Sequence, residues 1–314
     1  MIDFRYHLIS LMAVFLALGL GILMGSVVLS EKYVERLEGR VSRFEEELEG
    51  RREEVGQLND RIEAFQEFAA ESQPRLVEGA LAGREVVVFE LDGTDEQLVD
   101  GLAETIETAG GTVVSTITLT DAFTLDDQPE RDQLALLLGS PSDDAAQLRE
   151  ELGSQLGNRA AAAAAERVDA ERGGAAAQRL AVFLEDLRDA EFVGVSSLQD
   201  GAVPAGAAFV IAGGSAEDPG EGAVPLGLSL ASGLTELEAP VVVAEPTTSA
   251  WGLAAAVRDD GALGAAVSTA DHAETVPGRV ATVLALDLTM EGATGHYGTR
   301  DGATEVLPPP TPRA

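Results

Sequence analysis

Hydrophobic and polar positions follow one another in three different ways along this chain, and each predicts a different element. The segment from Leu8 to Leu29, LISLMAVFLALGLGILMGSVVL, runs 22 residues without a charge. As an α-helix it spans about 30 Å, the thickness of a bilayer's hydrocarbon core. Its apolar stretch exceeds the roughly 7–15 residues of a signal-peptide core, so residues 1–29 read as an uncleaved anchor. Arg5 before the span, with His7 beside it, predicts a cytoplasmic N-terminus and an extracytoplasmic remainder. Ala13, Ala17, Gly21 and Gly25 recur every fourth residue, a stripe that lets two helix backbones approach closely in lipid.

Over residues 30–73 the apolar positions take a 3-4 spacing. With Val34 at a, the a positions are Val34, Val41, Leu48, Val55, Ile62 and Ala69, and the d positions are Leu37, Phe44, Arg51, Leu58 and Phe65. Arg51 alone breaks the row. Arg40 and Glu45, then Glu47 and Arg52, occupy the g and following e positions, where opposite charges pair across a seam. The pattern predicts a parallel coiled coil, reaching about 60 Å at 1.5 Å per residue, with Pro74 as its expected stop. A parallel pair needs both N-termini on one side, which a membrane span enforces. A homodimer or higher homo-oligomer is therefore expected.

From residue 84 to 298 short apolar runs alternate with helical patterns. REVVVFELDG reads as a buried strand and turn, Thr94 as the cap of a helix through Ala109, and TVVSTITLT as the next strand. Gln133 to Gly157 reads as a helix, residues 160–177 as an Ala-rich insert, and Leu180 to Ala190 as another helix. GAAFVIAGG, APVVVAE and AAVSTAD are further strand candidates, with helices at Leu226 to Glu238, Trp251 to Arg258 and Pro277 to Met290. The expected class is α/β, a Rossmann-like or flavodoxin-like domain with halves at 84–157 and 178–298. Residues 299–314 are expected to form a Pro-rich disordered tail.

Composition narrows the function. There are 54 Asp and Glu against 21 Lys and Arg, a net charge of −33, which excludes a basic nucleic-acid-binding face. Cys is absent, so disulfides, thiolate metal sites and cysteine nucleophiles are excluded too. With three His and four Met, a soft-metal cage has few ligands to draw on. Met12 and Met24 lie about 18 Å apart along one helix and cannot share an ion. His272 and His296 are the remaining metal candidates, meeting only if the fold brings them together.

No GxGxxG, GxxxxGK[ST] or GxSxG pattern occurs at the strand ends. Ser268, Asp271 and His272 have the residue types of a triad, but neighbours in sequence rarely face each other productively. Thr269 and Asp271 read instead as caps of the closing helix. Glu245, Thr247 and Thr248, with Thr269 and Asp271, form a candidate ligand loop at the carboxyl ends of two strands. The chain is expected not to be an enzyme and to need no cofactor.

The opening MIDFRYHLISLMAVFLALGLGILMGS, the REVVVFELDG strand and the closing VSTADHAETVPGRVATVLALDLTMEGATGHYG resemble the mycobacterial copper-transport protein B family. The resemblance covers nearly the whole chain in order. It implies an envelope protein that keeps intracellular copper low, with copper as a transported ion and a mycobacterial member in the outer membrane as a pore. The residues themselves offer one lipid-length helix and buried strands, not the alternating segments of a β-barrel. The alternative expectation is a dimeric scaffold, crossing the membrane once, that presents an α/β module to unidentified envelope partners without transport.

Overall fold

The computed structural model describes residues 4–166, 174–197, 203–218, 220 and 222–309, apart from the side chains of residues 26–38, 42 and 197. The chain divides into two units, residues 1–67 and 68–314.

The first unit is helical. Helix α1, Phe4–Val77, begins there, and its segment Phe4–Gly25 is long and apolar enough to cross a membrane. Ala13, Ala17, Gly21 and Gly25 stand exposed on it, as do Met12 and Met24. The side chains of Val34 and Leu37 lie outside the described residues. Val41, Phe44, Leu48, Val55, Leu58, Ile62 and Phe65 are each between 48% and 63% exposed, so a single copy leaves its heptad row open to solvent. Arg51 turns out of that row and donates from Nη2 to Glu47 Oε1 at 2.9 Å, one turn back.

The second unit takes the last turns of α1. The helix does not stop at Pro74 but continues to Val77. The ring removes one backbone donor. Against that loss, Val77 is fully buried and Gln73 Nε2 donates to Thr105 Oγ1 at 2.9 Å, so tertiary packing carries the helix past the proline.

Among the described residues seven strands form one sheet: β1 (Glu85–Leu91), β2 (Thr112–Leu119), β3 (Val193–Ser197), β4 (Ala208–Ala212), β5 (Val241–Ala244), β6 (Ser268–Ala270) and β7 (His296–Tyr297). Their order is β3-β2-β1-β4-β5-β6-β7, with β3 antiparallel and every other pairing parallel. Strands from before and after the Ala-rich segment thus share a single sheet. Its helices are α2 (Glu96–Thr108), α3 (Gln128–Leu138), α4 (Ala145–Ala165), α5 (Ala175–Asp189), α6 (Ala223–Thr235), α7 (Leu253–Asp259), α8 (Leu263–Ala266) and α9 (Val276–Met290).

Both faces of the sheet are covered, which is why its strands read as continuous apolar runs. Val87, Phe89, Phe209, Ile211, Val241 and Val243 face a core built with α3 to α7. The alternate positions Val86, Val88, Val210 and Val242 face a second core with the end of α1, α2 and α9.

Several local expectations are corrected. The helix expected over Gln133 to Gly157 is two, α3 and α4, parted at Gly139, which takes the left-handed conformation that ends α3. The Ala-rich segment is no separate insert at its start: Ala160, Ala161 and Ala163 are buried on α4, while residues 167–173 lie outside the described residues. Asp95 rather than Thr94 caps α2, accepting from the Gln97 amide at 3.0 Å. Thr275, not Thr269 or Asp271, caps α9, accepting from the Gly278 amide at 3.1 Å. The tail expected to be disordered is packed through its first part: Gly298 N donates to Glu305 O at 2.8 Å, and Leu307 lies against the second core. Residues 310–314 lie outside the described residues.

Candidate functional site

The expected ligand loop is largely consumed by the fold. Glu245 follows β5 and is fully buried. Its Oε1 accepts from Ser249 Oγ at 2.6 Å, Gly252 N at 2.8 Å and Leu253 N at 3.2 Å, and its Oε2 accepts from Ala254 N at 2.8 Å. Four internal bonds and full burial commit this carboxylate to holding the loop that leads into α7. Thr247 and Thr248 are exposed. The Thr247 amide donates to Glu274 Oε2 at 2.9 Å, and its carbonyl accepts from Arg300 Nη2.

Thr269 and Asp271 belong to a second buried network, centred on Arg258 of α7. The side chains of Arg258 and Asp271 are 4% and 0% exposed, and Arg258 Nη1 donates to Asp271 Oδ2 at 2.7 Å. The same guanidinium donates to Thr269 Oγ1 at 2.8 Å, Tyr297 O at 3.2 Å and Asp301 O at 3.1 Å. Asp271 Oδ1 also accepts from the amides of Thr299 at 2.8 Å and Arg300 at 3.3 Å. A buried ion pair is retained when its remaining hydrogen-bonding capacity is satisfied in this way. The network's work is visible: it fastens the HYG segment and the turn after it to the edge of the sheet.

His296 is part of the fastening. Its Nε2 lies 3.0 Å from the Gly264 carbonyl, which only accepts, so Nε2 carries the proton and Nδ1 accepts from Thr269 Oγ1 at 3.1 Å. Burial, then the Arg258 charge, holds its pKa below the ordinary value. Both nitrogens are used, so His296 has no lone pair for copper. His272 differs, with neither nitrogen bonded. Among the described residues no three His, Asp or Glu are grouped to hold a metal ion. Nor is there a triad: Ser268 Oγ is bonded to Thr289 Oγ1 at 2.8 Å and accepts from Gly295 N at 3.2 Å.

The strand order reverses between β1 and β4, and sheets of this kind hold ligands where that reversal opens a crevice. Here Trp251 fills it. A Cβ at Gly93, just beyond β1, would stand 3.4 Å from Trp251 Cζ2, and one at Gly213, just beyond β4, 3.5 Å from Cζ3. The indole is buried, with Nε1 donating to Glu217 O at 3.1 Å.

A cavity of about 330 Å³ opens alongside, over the ends of β1 and β2, lined by Leu91, Asp92, Asp121, Phe123, Asp126 and Arg149 among others. Arg149 is spent on backbone, donating to Phe123 O at 2.8 Å and Thr124 O at 2.5 Å. Burial, then Asp121, raises the Asp92 pKa. Such a lining disfavours phosphates.

Sequence reasoning therefore found Thr269, Asp271 and His296 but not Arg258, which ties the first two together, or Trp251, which fills the crevice. Arg258 had a signal, a lone cation inside the apolar helix WGLAAAVR. Trp251 had another, as the single tryptophan beside strand-end glycines.

The model of the copper transport outer membrane protein family, MctB, matches residues 1–308. The copper transporter MctB of Mycobacterium tuberculosis strain H37Rv is 28% identical over 98% of this chain and 99% of its own length. That of Mycobacterium leprae is 31% identical over 98% of this chain and 100% of its own. A match of that extent, through the candidate span, the α/β sheet and the HYG segment that Arg258 and Asp271 hold, makes this chain a member of the MctB family.

Proposed function

We propose that this chain serves copper homeostasis at the cell envelope as a membrane-anchored, self-associating scaffold whose α/β module works without catalysis. The heptad row from Val41 to Phe65, apolar but for Arg51 and exposed on a single copy, carries the reading. A second copy in parallel register covers that row and brings Arg40 of one copy opposite Glu45 of the other, and Glu47 opposite Arg52. Trp251 in the switch-point crevice and the buried, internally bonded Glu245 carboxylate support a non-catalytic module without a cofactor. With the antiparallel edge strand β3 set aside, the parallel strands run β2-β1-β4-β5-β6-β7, which counted in sequence begins 2-1-3 and supports a flavodoxin-like assignment. Arg5 keeps the N-terminus in the cytoplasm and the module outside.

A second reading, copper efflux by the protein itself, is favoured by the name of its relatives. Copper is then cargo, crossing through an assembly of several copies, because each copy contributes one candidate span among its described residues.

The test is copper-dependent growth and cell copper content of a deletion strain, complemented with the wild type or with the seam variant Phe44→Glu/Leu58→Glu. The scaffold reading expects the variant to reach the membrane yet fail to restore tolerance, with loss of co-purified envelope partners. Copper conductance by the purified chain in bilayers would support efflux and overturn the scaffold. A reporter fused after Pro308 should be active only outside the cytoplasm.

A further inference from the structure

The network around Arg258 and Asp271 satisfies its polar atoms with one exception. His272 is 4% exposed, and both its Nδ1 and Nε2 are buried without a hydrogen-bond partner. Asp271 Oδ1 stands 3.9 Å from Nδ1, beyond hydrogen-bond reach. That same oxygen holds the Thr299 and Arg300 amides. This carboxylate, its other oxygen on Arg258, thus lies between the turn after β7, which it binds, and an imidazole it does not.

We propose that His272 is a pH-sensitive latch on the C-terminal segment: on gaining a proton its imidazole draws Asp271 away from the Thr299 and Arg300 amides and frees residues 296–301 from the sheet edge.

The charges facing His272 are Asp271 and Glu274 of its own loop and Arg258 from α7. Glu274 is engaged with the Thr247 amide, and Arg258 opposes a second buried cation. Arg300 spends its side chain on the carbonyls of Thr247 and Ser249. Asp271 is the carboxylate standing 3.9 Å from the imidazole, and so the one that moves. Burial, outweighing the two carboxylates, lowers the His272 pKa from 6.5. The closed latch favours the neutral imidazole, so its stability is complete above that ordinary value and is lost as pH falls through the lowered one. Opening detaches β7 and uncovers the β6 edge from Thr269 to Ala270, where backbone groups can pair with an added strand.

Hydrogen exchange on the full-length chain in detergent micelles, from pH 7.5 to 5.0 and corrected for intrinsic rates, tests the latch. Residues 296–301 should lose protection by up to about tenfold per pH unit below the transition, the limit for one proton, while α9 stays protected. His272→Leu and His272→Gln should both abolish the step. Leu loses no hydrogen bond, because neither nitrogen makes one, and Gln guards against misfolding of the first variant. A step that persists in both variants, or one that only His296→Gln removes, would overturn the proposal. So would a wild-type profile that does not change with pH.

Discussion

Gly298 lies against the buried carboxylate of Asp271, so closely that a Cβ at position 298 would overlap its oxygens. The backbone there has φ +146°, a conformation that L side chains rarely adopt. Gly298→Ala should therefore expel the carboxylate from its amides and from Arg258. The expected cost is about 3 kcal/mol, in the range reached when a buried polar network is broken. Urea unfolding followed by the fluorescence of Trp251 measures it, and a loss below 1 kcal/mol would contradict this geometry.

Domain boundaries yield a second expectation. Residues 84–298 omit Val77 and Leu81, both fully buried, and omit the Thr299 and Arg300 amides that Asp271 binds. Residues 68–309 retain all of these. The longer fragment should express as a soluble monomer without bound copper, and the shorter should melt well below it or aggregate. Calorimetry and metal analysis on the two fragments decide between them.

Arg258→Met, measured in the longer fragment, should cost about 3–5 kcal/mol because it leaves Asp271 charged, buried and unpaired. Arg258→Lys should recover less than half of that. The guanidinium donates to Thr269, Asp271, Tyr297 and Asp301 at once, and one ammonium cannot span those four acceptors. A lysine variant as stable as the wild type would mean that charge alone matters here.

Trp251→Ala should empty the switch-point crevice and cost about 3–5 kcal/mol, the usual loss for a buried aromatic. Trp251→Phe keeps much of the volume and loses the bond to Glu217 O, for about 1 kcal/mol. Chemical denaturation monitored by circular dichroism checks both, since the fluorescence is lost with the tryptophan.

The heptad row is tested with peptides of residues 30–72. Arg51→Leu should stabilise the pair by about 1–3 kcal/mol for each side chain buried and loosen its preference for two strands. Leu48→Arg should dissociate it. Sedimentation equilibrium and thermal melts supply the measurement. A parent peptide that is monomeric at high micromolar concentration, with no gain from Arg51→Leu, would remove the seam.

Periodicity by itself determined the long elements. Twenty-two uncharged residues, the 3-4 spacing from Val34 to Ala69 and the apolar runs of β1, β2, β4 and β5 each repeat one local signal many times. The strands β3 and β7 were not legible, because VGVSS at an antiparallel edge breaks its apolar run with Gly and Ser, and β7 is two residues beside a turn. Nor was the end of α1 legible at Pro74, where burial of Val77 outweighs a local helix breaker. Tertiary structure alone decided the fate of the polar residues. Glu245, Thr269, Asp271 and His296 have the chemistry of a ligand site in sequence, but side-chain chemistry does not say which acceptors a fold will satisfy internally. Residues as distant as Arg258 and Asp301 are brought together only when the sheet closes, where Arg258 binds Asp271, Gly264 O and Thr269 take both nitrogens of His296, and His272 is left bare.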